Sequence, residues 1–140
     1  MRRIFFHNVY DADSRAQADS LSLQDVDIYD YFNTDKRLMP DIPITRLPYL
    51  IDKYIGFAAG QYLVGEPFLL EFYCRDYLDN LLADEEQVFR VVIDGDVYDE
   101  VPEGGIIRAQ LTWPEAGIIP ITITGYGYLP FSVEIEVVDL

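Results

Sequence analysis

Between Phe68 and Val137 the apolar residues fall on alternate positions, and this period of two constrains the fold more than any other feature of the chain. Phe68, Leu70, Phe72 and Cys74 share one face, opposed by Glu71, Tyr73 and Arg75. Ile107, Ala109, Leu111 and Trp113 share another, opposed by Arg108, Gln110 and Thr112. Ile119, Ile121 and Ile123 alternate with Pro120, Thr122 and Thr124, and Phe131, Val133, Ile135 and Val137 with Ser132, Glu134 and Glu136. Successive side chains of an extended chain point to opposite sides, so each run turns an apolar face inward and leaves a polar one in water.

The turn chemistry agrees. Asp94-Gly95 separates Val91-Val92-Ile93 from Val97-Tyr98, and a two-residue hairpin loop needs residues that tolerate positive φ. Pairing of Val88–Ile93 with Asp96–Val101 is therefore expected, with Val92 opposite Val97 and Arg90 opposite Asp99 as a cross-strand ion pair. The hairpin is apolar on both faces, so its sequence leaves the core side open. Gly104-Gly105, Pro114-Glu115-Ala116-Gly117 and Gly125-Tyr126-Gly127-Tyr128 supply further turns. The expected fold is mainly β: an immunoglobulin-like antiparallel β-sandwich of about seven strands over residues 61–140.

Residues 1–60 read differently, as an irregular N-terminal arm with short helices. Residues 4–10 have the texture of a strand, and Ser14 is placed to cap a helix running to Leu21. Pro40, Pro43 and Pro48 exclude long regular elements. Pro48 is placed to open a short helix, Tyr49 to Ile55, ended by Gly56. Phe5, Phe6, Ile28, Tyr31, Phe32, Ile42, Ile44, Leu47, Leu50 and Ile51 have no evident shared core. They are expected to bury against another chain, as an assembly segment of a homo-oligomer such as a trimer, or on a larger shell or tube.

Charge narrows the partners. The chain carries a formal net charge of −15, with residues 1–60 near −2 and residues 61–140 near −13. So negative a domain repels phosphate backbones and anionic lipid heads, which argues against nucleic acid and membrane and in favour of protein partners. No apolar run reaches the ~18 residues of a membrane span. After Met1-Arg2-Arg3 the apolar stretch is too short for the core of a signal peptide, so synthesis in the cytoplasm without such a leader is expected.

Reactive residues are scarce. With one cysteine, Cys74, and one histidine, His7, the chain has no internal disulfide, and neither a zinc site nor a Cys–His pair is expected. An enzyme is not expected, and no catalytic or cofactor-binding residue is assigned. Calcium is the one cofactor the acids could take, through Asp76, Asp79, Asp84, Asp94, Asp96 and Asp99, although solvated loop acids are the default reading and no EF-hand loop is present. Tyr126 and Tyr128 flank Gly127 and could stack on sugar rings, or one of them could pack against the domain edge.

The sequence from Gly117 to Tyr128, followed by Val133-Glu134-Ile135-Glu136-Val137, resembles the last two strands of bacterial and phage immunoglobulin-like modules that decorate capsids, tails and adhesins. The stretches Ile28 to Pro43 and Leu47 to Asp52 resemble short proteins encoded among phage tail-fibre and structural genes. These resemblances imply a non-enzymatic part of a bacteriophage virion, a tail or fibre accessory or a capsid decoration. The N-terminal segment would be its anchor and the acidic domain its displayed face. The alternative is a glycan-binding module or adhesin domain that meets a host-surface glycan.

Overall fold

The structure is a computed structural model and describes residues 2–6, 26–30 and 49–140. The chain separates into two compact units, Met1–Asp52 and Lys53–Leu140. In the first, β1 (Arg2–Phe6) lies between β2 (Val26–Asp30) and β3 (Tyr49–Ile51). It pairs parallel with β2, Ile4 against Ile28, and antiparallel with β3, Ile4 against Leu50. Phe5, Phe6 and Ile28 of the expected assembly segment thus belong to strands. Leu50 is half-buried and Ile51 fully buried, so Ile51 is no part of an exposed strip. Tyr31, Phe32, Ile42, Ile44 and Leu47, and the helix expected from Ser14, lie outside the described residues.

The helix expected over residues 49–55 is not formed. Those residues make β3 and the start of β4 (Lys53–Phe57), and the described residues hold strands and turns without a helix. Lys53–Phe57 pairs antiparallel with the longest strand of the second unit, Ile55 against Cys74 and Phe57 against Phe72. That tertiary pairing outweighs the weak helical preference of a Tyr- and Ile-rich segment. It also starts the second unit ahead of the boundary expected near residue 61.

The second unit contains eight strands, β4 to β11. They are, after β4, β5 (Tyr62–Leu63), β6 (Phe68–Asp76), β7 (Phe89–Ile93), β8 (Asp96–Glu100), β9 (Ile106–Leu111), β10 (Gly117–Thr124) and β11 (Phe131–Val138). One sheet has the order β4-β6-β9, the other β5-β11-β10-β7-β8. The pairing is antiparallel except between β5 and β11, which run parallel.

The expected faces are the observed ones. Leu70, Phe72, Cys74 and Ile107 from the smaller sheet join Ile119, Ile121, Ile123, Ile135 and Val137 from the larger in one buried cluster. Phe72 stacks on Phe57 at 5.0 Å and meets the edge of Phe131 at 5.7 Å. The hairpin has the expected register, Val92 opposite Val97 and Arg90 opposite Asp99, and Asp94 and Gly95 take φ of 50° and 87° as a type I′ loop requires. Its open question of face is answered too: Phe89, Val91 and Ile93 are buried. Among the described residues the salt bridge formed is a different cross-strand pair, Arg108 to Glu71 at 3.2 Å.

Pro120 sits inside β10 without damaging it. Its carbonyl accepts from the Asp94 N–H at 2.9 Å, so its nitrogen faces the hairpin turn, beyond the last ladder residue of β7. The donor that proline lacks is therefore not one the ladder uses.

Cys74 is fully buried, and burial pushes its thiol up to about 11. The thiolate is the form that reacts, so a disulfide reagent is expected to label the native protein slowly and the urea-unfolded protein fast. Equal rates would mean that β6 is turned over, because a one-residue slip inverts every side chain of a strand.

Candidate functional site

Two connections leave the same end of the second unit and are tied to each other: residues 77–88, from β6 to β7, and residues 125–130, from β10 to β11. The second begins as a tight turn in which the Tyr128 N–H donates to the Gly125 carbonyl at 3.2 Å. Gln87 grips this turn with its side-chain amide. The Tyr126 N–H donates to Gln87 Oε1 at 2.8 Å, and Gln87 Nε2 donates to the Tyr126 carbonyl at 3.1 Å. From the other side the Lys53 N–H donates to the Gly127 carbonyl at 3.2 Å, and the Leu129 N–H to the Lys53 carbonyl at 2.9 Å.

Tyr126 and Tyr128, the two residues expected as stacking platforms, separate. Tyr126 is 53% exposed and Tyr128 is 1% exposed. The Tyr128 ring meets Phe89 edge-on at 4.9 Å, its hydroxyl donates to Glu85 at 2.5 Å, and the Lys53 ammonium lies 5.8 Å from its centre. Burial, and then the bond to Glu85, holds the Tyr128 phenol far above the usual tyrosine range. No ligand ring has access to it, so Tyr128 serves as the peg of the turn and Tyr126 as its displayed aromatic.

The first connection is also built from within. The Asp76 carboxylate accepts from the Leu78 N–H at 2.9 Å, the Asn80 N–H at 2.9 Å and the Asn80 side chain at 3.2 Å. Asp79, at a φ of 68°, accepts Arg75 Nη1 on its carbonyl at 3.0 Å and the Tyr54 hydroxyl on its carboxylate. Arg75 also lies over the Tyr73 ring at 5.4 Å. With its backbone fixed this way, the loop turns Tyr77, Leu78 and Leu81 outward at 41%, 64% and 41% exposure.

Asp76 links this loop to pH. The hydrogen bonds from Asn80 and Leu78 hold its carboxyl below the usual range. A carboxylate whose folded pKa is depressed contributes stability above its unfolded pKa and loses it as pH falls through the folded one. Acidification is thus expected to release the Leu78 and Asn80 amides, read as faster hydrogen exchange at those two residues after correction for the intrinsic rate. Protection that stays unchanged however far the pH falls below the ordinary Asp pKa of about 3.9 would contradict this role.

The calcium expectation gains no cluster. Asp76 is engaged within its own loop and Asp79 by Tyr54, Asp94, Asp96 and Asp99 belong to the separate β7–β8 hairpin, and among the described residues no three acids, histidines or cysteines converge on a metal position. Cys74, the one thiol, is enclosed, and His7 lies outside the described residues. What this end of the unit can do chemically is present aromatic and aliphatic surface from a locked backbone. The sequence pointed to Tyr126 but not to Gln87, whose role arises from a contact 39 residues distant that leaves no periodic trace.

No known protein family and no curated protein matches this sequence. A solved structure described as "Structure of Protease" is similar to 64% of this chain at 19% identity with a TM-score of 0.41. The matched part spans 19% of that protein's length, and a likeness so weak carries no argument about fold or activity.

Proposed function

We propose that the second unit is an immunoglobulin-like β-sandwich and that the protein is a non-enzymatic interaction and structural protein of a bacteriophage particle. The strand orders support the fold. In immunoglobulin lettering β4, β6 and β9 correspond to A, B and E, while β11, β10 and β7 correspond to G, F and C, with β8 as C′ beside C. Two antibody hallmarks are replaced: Cys74 on the B strand has no partner cysteine, and the C strand carries Phe89, Val91 and Ile93 in place of a core tryptophan.

The observation that carries the function is the Gln87 clamp. It joins the B–C and F–G connections, two of the three that form recognition surfaces in variable domains, and holds Tyr126 beside the loop that turns out Tyr77, Leu78 and Leu81. Aromatic surface on a fixed backbone loses little conformational entropy when it binds, which favours a contact role. The virion assignment rests on the sequence resemblance, with the acidic unit displayed and the N-terminal segment as anchor in a homo-oligomer or on a virion surface.

Mass spectrometry of purified particles from cells carrying the gene is the test. This chain should band with the particles through a density gradient, and its confinement to the soluble fraction would overturn the virion reading. Tyr126 also favours a second reading, a glycan-binding module. There a glycan array should give signals with the full-length protein that the Tyr126→Ala variant loses.

A further inference from the structure

The larger sheet ends on β8, and the observations there carry a proposal beyond the loop surface. β8 pairs with β7 and, among the described residues, with no other strand. Along an antiparallel ladder the paired residues alternate between exchanging hydrogen bonds and turning their backbone groups away. Counted from the two-residue turn, Ile93 with Asp96 and Val91 with Tyr98 exchange bonds, so Val97 and Asp99 direct both N–H and C=O to the open side.

The same hairpin concentrates exposed apolar surface. Val88, Val97, Tyr98 and Val101 are 59%, 52%, 45% and 53% exposed. Acids surround them at Asp94, Asp96, Asp99, Glu100 and Glu103, against a single base at Arg90. Such an edge invites an added strand, and natural sheets usually blunt theirs.

We propose that the open edge of β8 takes up an extended, basic segment of a partner protein as an additional strand. The charges select this occupant. A second copy pairing antiparallel about Tyr98 would set Asp96 against Glu100 twice, and like charges directly opposite each other are destabilising. In that register the acids guard the edge against its own kind. The basic strand available within a second copy, Arg2–Phe6, is already central in its own sheet. A partner segment alternating Lys or Arg with β-branched residues meets every demand. Its backbone pairs with Val97 and Asp99, its cations meet Asp96 and Glu100 on the face those acids share with Tyr98, and its apolar side chains cover Val97 on the opposite face. This inference deepens the reading of an interaction protein, and its test is independent of particle incorporation.

The experiment is an amide NMR titration of the full-length protein with an acetylated, amidated peptide Lys-Val-Lys-Val-Lys-Val. Shifts should centre on residues 96–100 and the Val97 and Asp99 amides should gain protection from exchange. Affinity should fall with added salt, and by at least about tenfold when both Asp96→Lys and Glu100→Lys are introduced. Val97→Pro removes an open-edge donor without touching the β7 ladder and should abolish the protection. A peptide with proline replacing the central valine keeps the charge and should bind at least about tenfold more weakly. Equal binding of the proline peptide would reduce the effect to bulk charge attraction and overturn the proposal. Shifts centred away from β8, no binding at millimolar peptide, or β8 already protected by a second copy would overturn it as well.

Discussion

Replacing Phe72 by alanine should lower the unfolding free energy by about 3–5 kcal/mol, the range for truncating a fully buried aromatic residue. Phe72 has no exposed surface and holds both sheets. Its ring stacks on Phe57, directly opposite on β4, and meets the edge of Phe131 from the other sheet. Alanine removes the ring and leaves a cavity that two sheets of paired backbone cannot collapse to fill. Trp113, the one tryptophan and packed against this core, reports the transition in urea. A midpoint shift at constant slope is expected. A loss below about 1 kcal/mol would mean that the sheets do not meet through this residue.

Gly125→Ala should be the next most costly change, at about 1–3 kcal/mol, although it adds one methyl group. A Cβ built on Gly125 would lie 2.3 Å from the Phe89 ring and 3.2 Å from Gln87 Oε1. The ring has no exposed surface and already lies edge-on to Tyr128, so it has nowhere to swing. The backbone must move instead, taking the Gln87 clamp with it. Shortening the neighbour tests this, since Phe89→Leu in the Gly125→Ala background should cost less than the sum of the two single changes. Gly60→Ala is the control: its added Cβ meets nothing nearer than 3.8 Å and should change stability by no more than about 0.5 kcal/mol. Equal effects at the two glycines would remove the steric account.

The sequence made the second unit readable wherever burial alternates. Leu70, Phe72 and Cys74, or Ile119, Ile121 and Ile123, each have polar neighbours that could face only water, and both runs are buried as their pattern implied. Asp94-Gly95 set the register of the hairpin through backbone geometry alone. Residues 49–57 misled because Pro48 and Gly56 mimic helix boundaries and Ile51 and Ile55 stand four apart, a spacing that a helix face and a strand face share. What decides there is the pairing of Lys53–Phe57 with β6, a long-range contact that no local pattern carries. The displayed surface was half legible for the same reason. Two tyrosines flank one glycine, and the bond from Tyr128 to Glu85 and the packing on Phe89 decide which of them faces out.

The parallel pair of β5 and β11 gives the second unit a mechanical character. Tyr62 and Leu63, which follow β4, lie beside Val137 and Val138 of the last strand, and the Val64 N–H extends the pair to the Val138 carbonyl at 3.0 Å. Tension applied between the start of β5 and the finish of β11 draws one strand back toward its start and the other on toward its finish. Because the strands run in the same direction, the load falls along their axes as shear, and the bonds between them must yield together instead of opening one by one. A domain pulled along these two strands would resist at the place where β5 and β11 run side by side.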